Sequence, residues 1–174
     1  GRKDMSGGTY NVLFLCRANS ARSIMAEAIL NKEGHDHFFG YSAGSHPRGE
    51  IHPHARDLLE SLGHDMTTLS SKDMETYSGQ DEIKFDFVFT VCDATANEDC
   101  PIFPGSPMTA HWGVPDPAEA EGSEAEKRLA FAETYRMLRN RISIFTSLPF
   151  KSLDRMSLQN ELDKIGKIST SEEV

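Results

Sequence analysis

Residues 10–29 read YNVLFLCRANSARSIMAEAI, and this stretch joins two contrasting patterns at a cysteine. The apolar run at residues 10–15 is typical of a buried parallel strand. After a polar loop, apolar side chains recur at helical spacing, and Gly34 lies just beyond the last of them. The stretch therefore predicts a strand, a loop that begins at Cys16, and a helix.

The loop at residues 16–22 has the composition of a site for a tetrahedral oxyanion. Its small residues allow successive backbone N–H groups to converge, and the positive end of the following helix points into the same space. The Arg22 guanidinium is suited to clamp two oxygens of the anion. The same surroundings favour the thiolate form of Cys16, the predicted nucleophile, and Ser23 is placed to donate to its sulfur. The predicted substrate-binding residues are Arg17, Ala18, Asn19, Ser20, Ala21, Arg22 and Ser23.

The rest of the chain alternates predicted strands and helices. This alternation predicts an α/β fold, a three-layer sandwich with a central four-stranded parallel sheet covered by helices on both faces. Ligands bind at the carboxyl ends of the strands in such sheets, and Cys16 and Cys92 both lie at such ends. In the longest helix, Leu129 and Phe131 are among the side chains predicted to face the core. The remaining strands are predicted at residues 37–44, 85–91 and 108–112, and the remaining helices at 53–62 and 122–148.

Composition limits the classes of protein. The chain has 174 residues and 38% hydrophobic content, which fits one globular core, and its net charge of −9 disfavours nucleic-acid or anionic-membrane partners. We find no apolar run of ~20 residues and no secretory leader pattern. Three cysteines, an odd number, in a sequence without a secretory leader pattern predict a reducing, cytoplasmic location. We assign residues 1–8 to a flexible arm or a cloning remnant, 9–150 to the catalytic domain and 151–174 to a helical tail.

Asp116 stands between two prolines in VPDPA at residues 114–118, and these prolines stiffen its backbone. A carboxyl group held over an anion site is suited to act as the general acid for the leaving oxygen. The alternative interpretation is an ordinary turn, because Asp often precedes Pro in turns.

The opening stretch resembles the phosphate-binding loop and first helix of the low-molecular-weight protein tyrosine phosphatases and of the arsenate reductases built on that fold. The resemblance continues through YSAG at residues 41–44 and HWGVPDPA at 111–118, and covers about residues 10–149. It implies a low-molecular-weight tyrosine phosphatase-like fold and matches Asp116 to the aspartate of the mobile Asp-Pro loop. In many such phosphatases aromatic residues follow the Asp-Pro pair. Here Ala118-Glu119-Ala120 follow instead, which favours the reductases.

Cys92 and Cys100 lie in a segment rich in turn-forming residues, too far apart for a C-x-x-C zinc or redox motif. From the residues alone, two unrelated thiols remain an alternative. Arsenate reductases of the thioredoxin-coupled type carry a cysteine pair at a similar spacing. That resemblance implies a relay in which Cys16 attacks arsenic, Cys92 attacks Cys16, and Cys100 attacks Cys92 to leave a disulfide for thioredoxin.

The sequence therefore predicts an arsenate reductase, with phosphate as a competing oxyanion. The external reductant is thioredoxin, or else glutathione with glutaredoxin, and we expect no bound cofactor and no metal. The main alternative is a low-molecular-weight protein tyrosine phosphatase that hydrolyses phosphate monoesters through a phosphocysteine. A third hypothesis is a non-enzymatic module that senses anions or binds a partner.

Two further groups of residues are candidate metal sites. Some members of the reductase family hold potassium beside the anion loop, and the matching residues are Asn19, Glu27 and Ser42. Lys72 stands where that family offers an aspartate, and its ammonium is suited to replace the cation, so a potassium site is not among our predictions. The histidines of HPRGEIHPH at residues 46–54 predict a surface turn rather than a metal site. The apolar spacing in the tail predicts a helix that packs either on the domain or on another subunit.

Overall fold

The computed structural model describes residues 9–34, 36–77, 83–93 and 107–168. Within these ranges one parallel sheet of four strands has the order β2-β1-β3-β4, which confirms the predicted α/β fold and parallel sheet. The four described α-helices all contribute side chains to one core cluster. The strands are β1 (Tyr10–Cys16), β2 (Phe38–Gly44), β3 (Phe87–Thr90) and β4 (Met108–His111), and the helices are α1 (Arg22–Glu33), α2 (Pro53–Ser61), α3 (Glu124–Thr146) and α4 (Arg155–Gly166).

Strand β1 is central and is buried on both faces of the sheet. Val12 and Phe14 contribute to the helix-covered core, whereas Leu13 and Leu15 contribute to a smaller cluster on the opposite face. Because neither face of β1 meets water, its sequence is a continuous apolar run rather than an alternating one. Cys16 is the last residue of β1 and therefore lies at the carboxyl edge of the sheet.

Helix α3 begins and ends close to its predicted bounds. Ser123 and Glu126 form a reciprocal capping box at its start. The prediction that Leu129 faces the core is wrong, because Leu129 is 58% exposed whereas Phe131 is 1% exposed. The two positions are separated by about 200° around a helix and cannot share one face. No helix in the described ranges is both long enough and apolar enough to cross a bilayer.

Helix α4 packs on the domain, which decides between the two placements expected for the tail. The Trp112 indole Nε1 donates to the Leu162 carbonyl over 3.0 Å, and Gln159 Nε2 donates to the Thr109 carbonyl over 2.8 Å. At Gly166 any Cβ would collide with the His111 carbonyl, so only glycine permits this close approach. The helix thus covers β4, a strand at the edge of the sheet.

We expect Leu162→Ala to lower the free energy of unfolding by about 2–4 kcal/mol, because it leaves a cavity beneath α4. Leu162 is fully buried in the main core cluster. Met156→Ala on the same helix is the matched control, since Met156 is 76% exposed and its truncation should change stability by less than about 0.5 kcal/mol. Urea unfolding of both variants checks the prediction, and equal losses would contradict the packing of α4 described above.

Candidate active site

The loop between β1 and α1 turns its carbonyl groups away from its concave side. Three of these carbonyls accept hydrogen bonds from the segment that follows β2. All described peptide bonds are trans, so the N–H after each carbonyl points the opposite way. The N–H groups of residues 18, 19 and 21 therefore face the concave side, next to the N-terminus of α1. The three bonds run from His46 N to Arg17 O (2.8 Å), from Arg48 N to Ala18 O (2.9 Å) and from His52 N to Ser20 O (2.9 Å).

The Cys16 thiol is free and lies 2.9 Å from the Ser23 hydroxyl. The Asn19 amide Nδ2 donates to the same hydroxyl oxygen over 2.7 Å. Because an amide nitrogen can only donate, the hydroxyl hydrogen of Ser23 remains available for the Cys16 sulfur. Asn19 has a φ of +45°, a left-handed conformation that Asn tolerates better than most residues. Asn19 thus shapes the loop and orients the Ser23 hydroxyl beside the Cys16 sulfur.

Arg22 connects the start of α1 to the segment after β4. Its side chain is buried, its Nη1 donates to the Val114 carbonyl over 3.4 Å, and its Nη2 lies 3.5 Å from Asp116 Oδ2. The other carboxylate oxygen of Asp116 accepts from Ala118 N over 3.0 Å and caps the short 3₁₀ turn Pro117–Glu119. The structure therefore brings together the predicted nucleophile loop, the predicted anion clamp and the predicted acid, from segments far apart in sequence.

Cys92 lies just beyond β3, at the same edge of the sheet as Cys16. Val91 N donates to the Leu15 carbonyl over 2.9 Å, which fixes β3 beside β1 at this end. Cys92 is fully buried and disulfide-bonded. The predicted site residue Cys100 lies outside the described residues.

Comparison with known proteins identifies the family. The model of the low molecular weight phosphotyrosine protein phosphatases matches residues 11–159. The chain belongs to this family. An arsenate reductase of Oceanobacillus iheyensis is 35% identical over 135 residues, which are 77% of this chain and 93% of that protein.

Solved structures give the same fold for this phosphatase-family chain. An arsenate reductase from Archaeoglobus fulgidus has a TM-score of 0.59 at 25% identity, covering 76% of this chain and 98% of the other. A thioredoxin-dependent arsenate reductase from Corynebacterium glutamicum has a TM-score of 0.53 at 26% identity, covering 80% of this chain and 65% of the other. The resemblance read from the sequence is confirmed.

Behind the phosphatase-family loop, the partly exposed Lys72 and the buried Glu27 form a polar cluster. Ser42 Oγ donates to Glu27 Oε1 over 2.6 Å, and Lys72 Nζ lies 3.9 Å from the same oxygen and donates to the Ser70 carbonyl. Lys72 N also donates to Asn19 Oδ1 over 2.6 Å. Burial raises the pKa of Glu27, with Lys72 and Ser42 acting in the opposite direction, and burial lowers the pKa of Lys72. Of the three residues that match potassium ligands, the Lys72 ammonium thus contacts Glu27, while the Lys72 backbone N contacts Asn19.

We expect Lys72→Met to lower the free energy of unfolding by about 2 kcal/mol at pH 7, because it leaves the Glu27 carboxylate buried without its cation. The double variant Lys72→Met with Glu27→Gln should recover most of this loss, and urea unfolding of the four chains of the cycle measures the coupling. Burial raises the pKa of Glu27 in the folded chain above its ordinary value. The stabilisation of the fold that comes from protonated Glu27 is therefore present below about pH 4.5 and is lost as the pH rises through the folded-state pKa. Additive losses in the two single variants would contradict the pairing.

Several supporting residues were missed by the sequence reasoning. The segment at residues 46–52 gives the loop carbonyls their donors, and Ser71 Oγ adds a bond to Ala18 O over 3.3 Å. Backbone donors leave no signature in the side chains, so no sequence signal identified this segment. Gly44 offered a partial signal within YSAG, because a Cβ there would come within 2.5 Å of the Arg17 carbonyl.

The histidines after β2 serve local structure. His52 caps α2 by accepting from His54 N over 3.1 Å, and His54 Nε2 lies 2.5 Å from Glu124 Oε2 of α3. Within the described ranges, no group of three or more His, Cys, Asp or Glu side chains is arranged to hold a metal ion.

Proposed function

We propose that this chain is an arsenate reductase that takes its electrons from thioredoxin through Cys16, Cys92 and Cys100. The observation that carries the proposal is the pairing, at one edge of the sheet, of a free thiol in an oxyanion loop with a disulfide-bonded second cysteine. A phosphatase uses only the first of these. The curated relatives at 33–35% identity are named arsenate reductases, and a structural neighbour is thioredoxin-dependent.

Arsenate occupies the concave side of the loop. Its oxygens accept from the N–H groups of residues 18, 19 and 21 and from the Arg22 guanidinium. The Cys16 thiolate, steadied by the Ser23 hydroxyl, attacks arsenic and forms an As–S bond. An As–O bond breaks, and the departing hydroxide takes a proton from Asp116 and leaves as water.

The redox step moves two electrons onto arsenic. The Cys92 thiolate attacks the Cys16 sulfur, an S–S bond forms, and the As–S bonding pair stays on arsenic, which leaves as arsenite. Cys100 then attacks Cys92 and releases the Cys16 thiolate. A dithiol of thioredoxin reduces the resulting Cys92–Cys100 disulfide and is itself oxidised. A free Cys16 with an oxidised Cys92 supports this order, since it is the state reached before thioredoxin acts.

This chemistry needs a reducing compartment, and so we propose a cytoplasmic location. Hydrolysis of phosphate monoesters is the second candidate function. It is favoured by the family and by the loop itself, because phosphate and arsenate are both tetrahedral oxyanions. Hydrolysis needs Cys16, Arg22 and Asp116 and makes no use of Cys92 or Cys100.

The test is arsenate-dependent NADPH consumption with thioredoxin and thioredoxin reductase, for the unchanged chain and for Cys92→Ser and Cys100→Ser. We expect repeated turnover only in the unchanged chain, whereas all three chains should hydrolyse p-nitrophenyl phosphate equally. That hydrolysis is the internal control for folding and for the anion site.

Two outcomes would overturn the proposal in different ways. Full turnover of Cys100→Ser with thioredoxin alone would refute the relay, and a repeat with glutathione and glutaredoxin would then identify the alternative reductant. If the unchanged chain reduces no arsenate with either reductant but hydrolyses the ester, it is a phosphatase.

A further inference from the structure

Lys72 lies behind the anion loop and contacts it through its backbone. Its N–H donates to Asn19 Oδ1 over 2.6 Å, and its carbonyl accepts from Gly44 N over 2.9 Å. The Asn19 amide in turn donates to the Ser23 hydroxyl, which lies 2.9 Å from the Cys16 sulfur. A continuous series of hydrogen bonds therefore connects the Lys72 backbone to the predicted nucleophile.

The Lys72 side chain places a positive charge beside a buried carboxylate of α1. Its Nζ lies 3.9 Å from Glu27 Oε1 and also donates to the Ser70 carbonyl. Glu27 is 6% exposed and accepts from Ser42 Oγ over 2.6 Å, so water screens its charge poorly. The Lys72 ammonium therefore compensates a charge that solvent does not.

The Glu27 carboxylate lies on the side of α1 that is close enough to act on an anion in the loop. Glu27 follows Ser23 by about one turn, and the N-terminus of α1 lies next to the concave side of the loop. Four residues advance about 6 Å along a helix, which puts the carboxylate roughly 10 Å from a bound anion. Like charges repel at that range, and more strongly through protein than through water. Without a cation, Glu27 would oppose the binding of an anion.

We propose that Lys72 is a positioning residue for the oxyanion. Its ammonium neutralises Glu27 beneath the loop, and its backbone N–H holds the Asn19 amide that orients Ser23. The two contacts support each other, because the ammonium ties residues 70–72 to α1 and so keeps the Lys72 N–H in place behind the loop. The inference rests on the proposed function only in requiring an oxyanion in the loop.

The test compares the binding of sulfate and perchlorate, a dianion and a monoanion of the same tetrahedral shape. All chains carry Cys16→Ser, which removes the thiol from the site. NMR titrations at about pH 8 keep Glu27 ionised, and NaCl holds the ionic strength constant. The variants are Lys72→Met, Glu27→Gln, their combination and Lys72→Arg. Lys32→Met is the matched control, because it removes a cation of α1 whose Nζ donates to the Leu62 carbonyl.

In Lys72→Met we expect the sulfate Kd to rise about tenfold and the perchlorate Kd about threefold, because repulsion scales with the charge of the ligand. Glu27→Gln should bind sulfate at least as tightly as the starting chain. The double variant and Lys72→Arg should stay within about threefold of the starting chain, and Lys32→Met within about twofold. A merely structural ion pair would behave differently, because breaking it from either side would weaken the binding of both anions alike.

Weaker sulfate binding in Glu27→Gln, or equal losses for the two anions in Lys72→Met, would show that the pair only supports the fold and would overturn the inference. A Lys72→Met chain that binds sulfate as tightly as the starting chain would overturn it as well. The anion site stands in each of these cases. Absence of sulfate binding in every chain would instead overturn the anion site, and the proposed function with it.

Discussion

The Cys16→Ser variant should neither reduce arsenate nor hydrolyse phosphate esters, with rates lower by on the order of 10⁴-fold or more. The physical reason is the acidity of the attacking group, because a serine hydroxyl stays protonated under conditions that make a thiolate available. The hydrogen bond from the Ser23 hydroxyl, 2.9 Å from the sulfur, steadies a thiolate but cannot ionise an alcohol. Single-turnover arsenite release and p-nitrophenol release measure the two activities.

Ser23→Ala is the informative companion to this variant. It keeps the nucleophile and removes only the donor, so both activities should fall by about 10- to 100-fold. Cys16→Ser should still bind sulfate, since the N–H groups of the loop and Arg22 are unchanged. If Cys16→Ser retained more than about a hundredth of either activity, the nucleophile would lie elsewhere and Cys92 would be the next residue to replace.

The second large effect is expected at Asp116. Asp116→Asn should lower the kcat for arsenate reduction by about 10²- to 10³-fold with little change in KM, because an amide cannot give a proton to the departing hydroxide. Asn preserves the local structure, since its side chain still accepts from Ala118 N and caps the 3₁₀ turn. Steady-state kinetics with thioredoxin in excess measure the change.

Asp154→Asn is the matched control for that substitution. Asp154 caps α4 by accepting from Ser157 N over 2.7 Å, and it lies on the exposed surface outside the site. It should leave both kcat and KM unchanged. For ester hydrolysis, the loss in Asp116→Asn should be larger for an alkyl phosphate than for p-nitrophenyl phosphate, whose leaving group needs no proton. Equal losses for the two esters would show that Asp116 acts on binding or folding instead.

Local patterns predicted the elements of the fold well and the exposure of single side chains less well. The predicted bounds of α3, residues 122–148, lie within two residues of the observed ones, because helix termini depend on residues within one turn. Apolar spacing along α3 groups Leu129 with Phe131, because spacing alone does not indicate which side of the helix meets the core. The apolar side chains of α3 extend over more than one side of the helix. Only packing against α1 and α2 selects the buried side, which holds Phe131.

The sequence by itself determined the strand, the loop that begins at Cys16 and the helix that follows it, and it predicted the roles of Cys16, Arg22 and Ser23. These features depend on residues that are neighbours in the chain, and their spacing carries the chemistry. Only the tertiary structure decided that Arg22 meets Val114 and Asp116, and that residues 46–52 turn the loop N–H groups inward. It also decided that Lys72 reaches Glu27. These contacts form because the sheet order β2-β1-β3-β4 sets distant segments side by side, and no local pattern encodes that order.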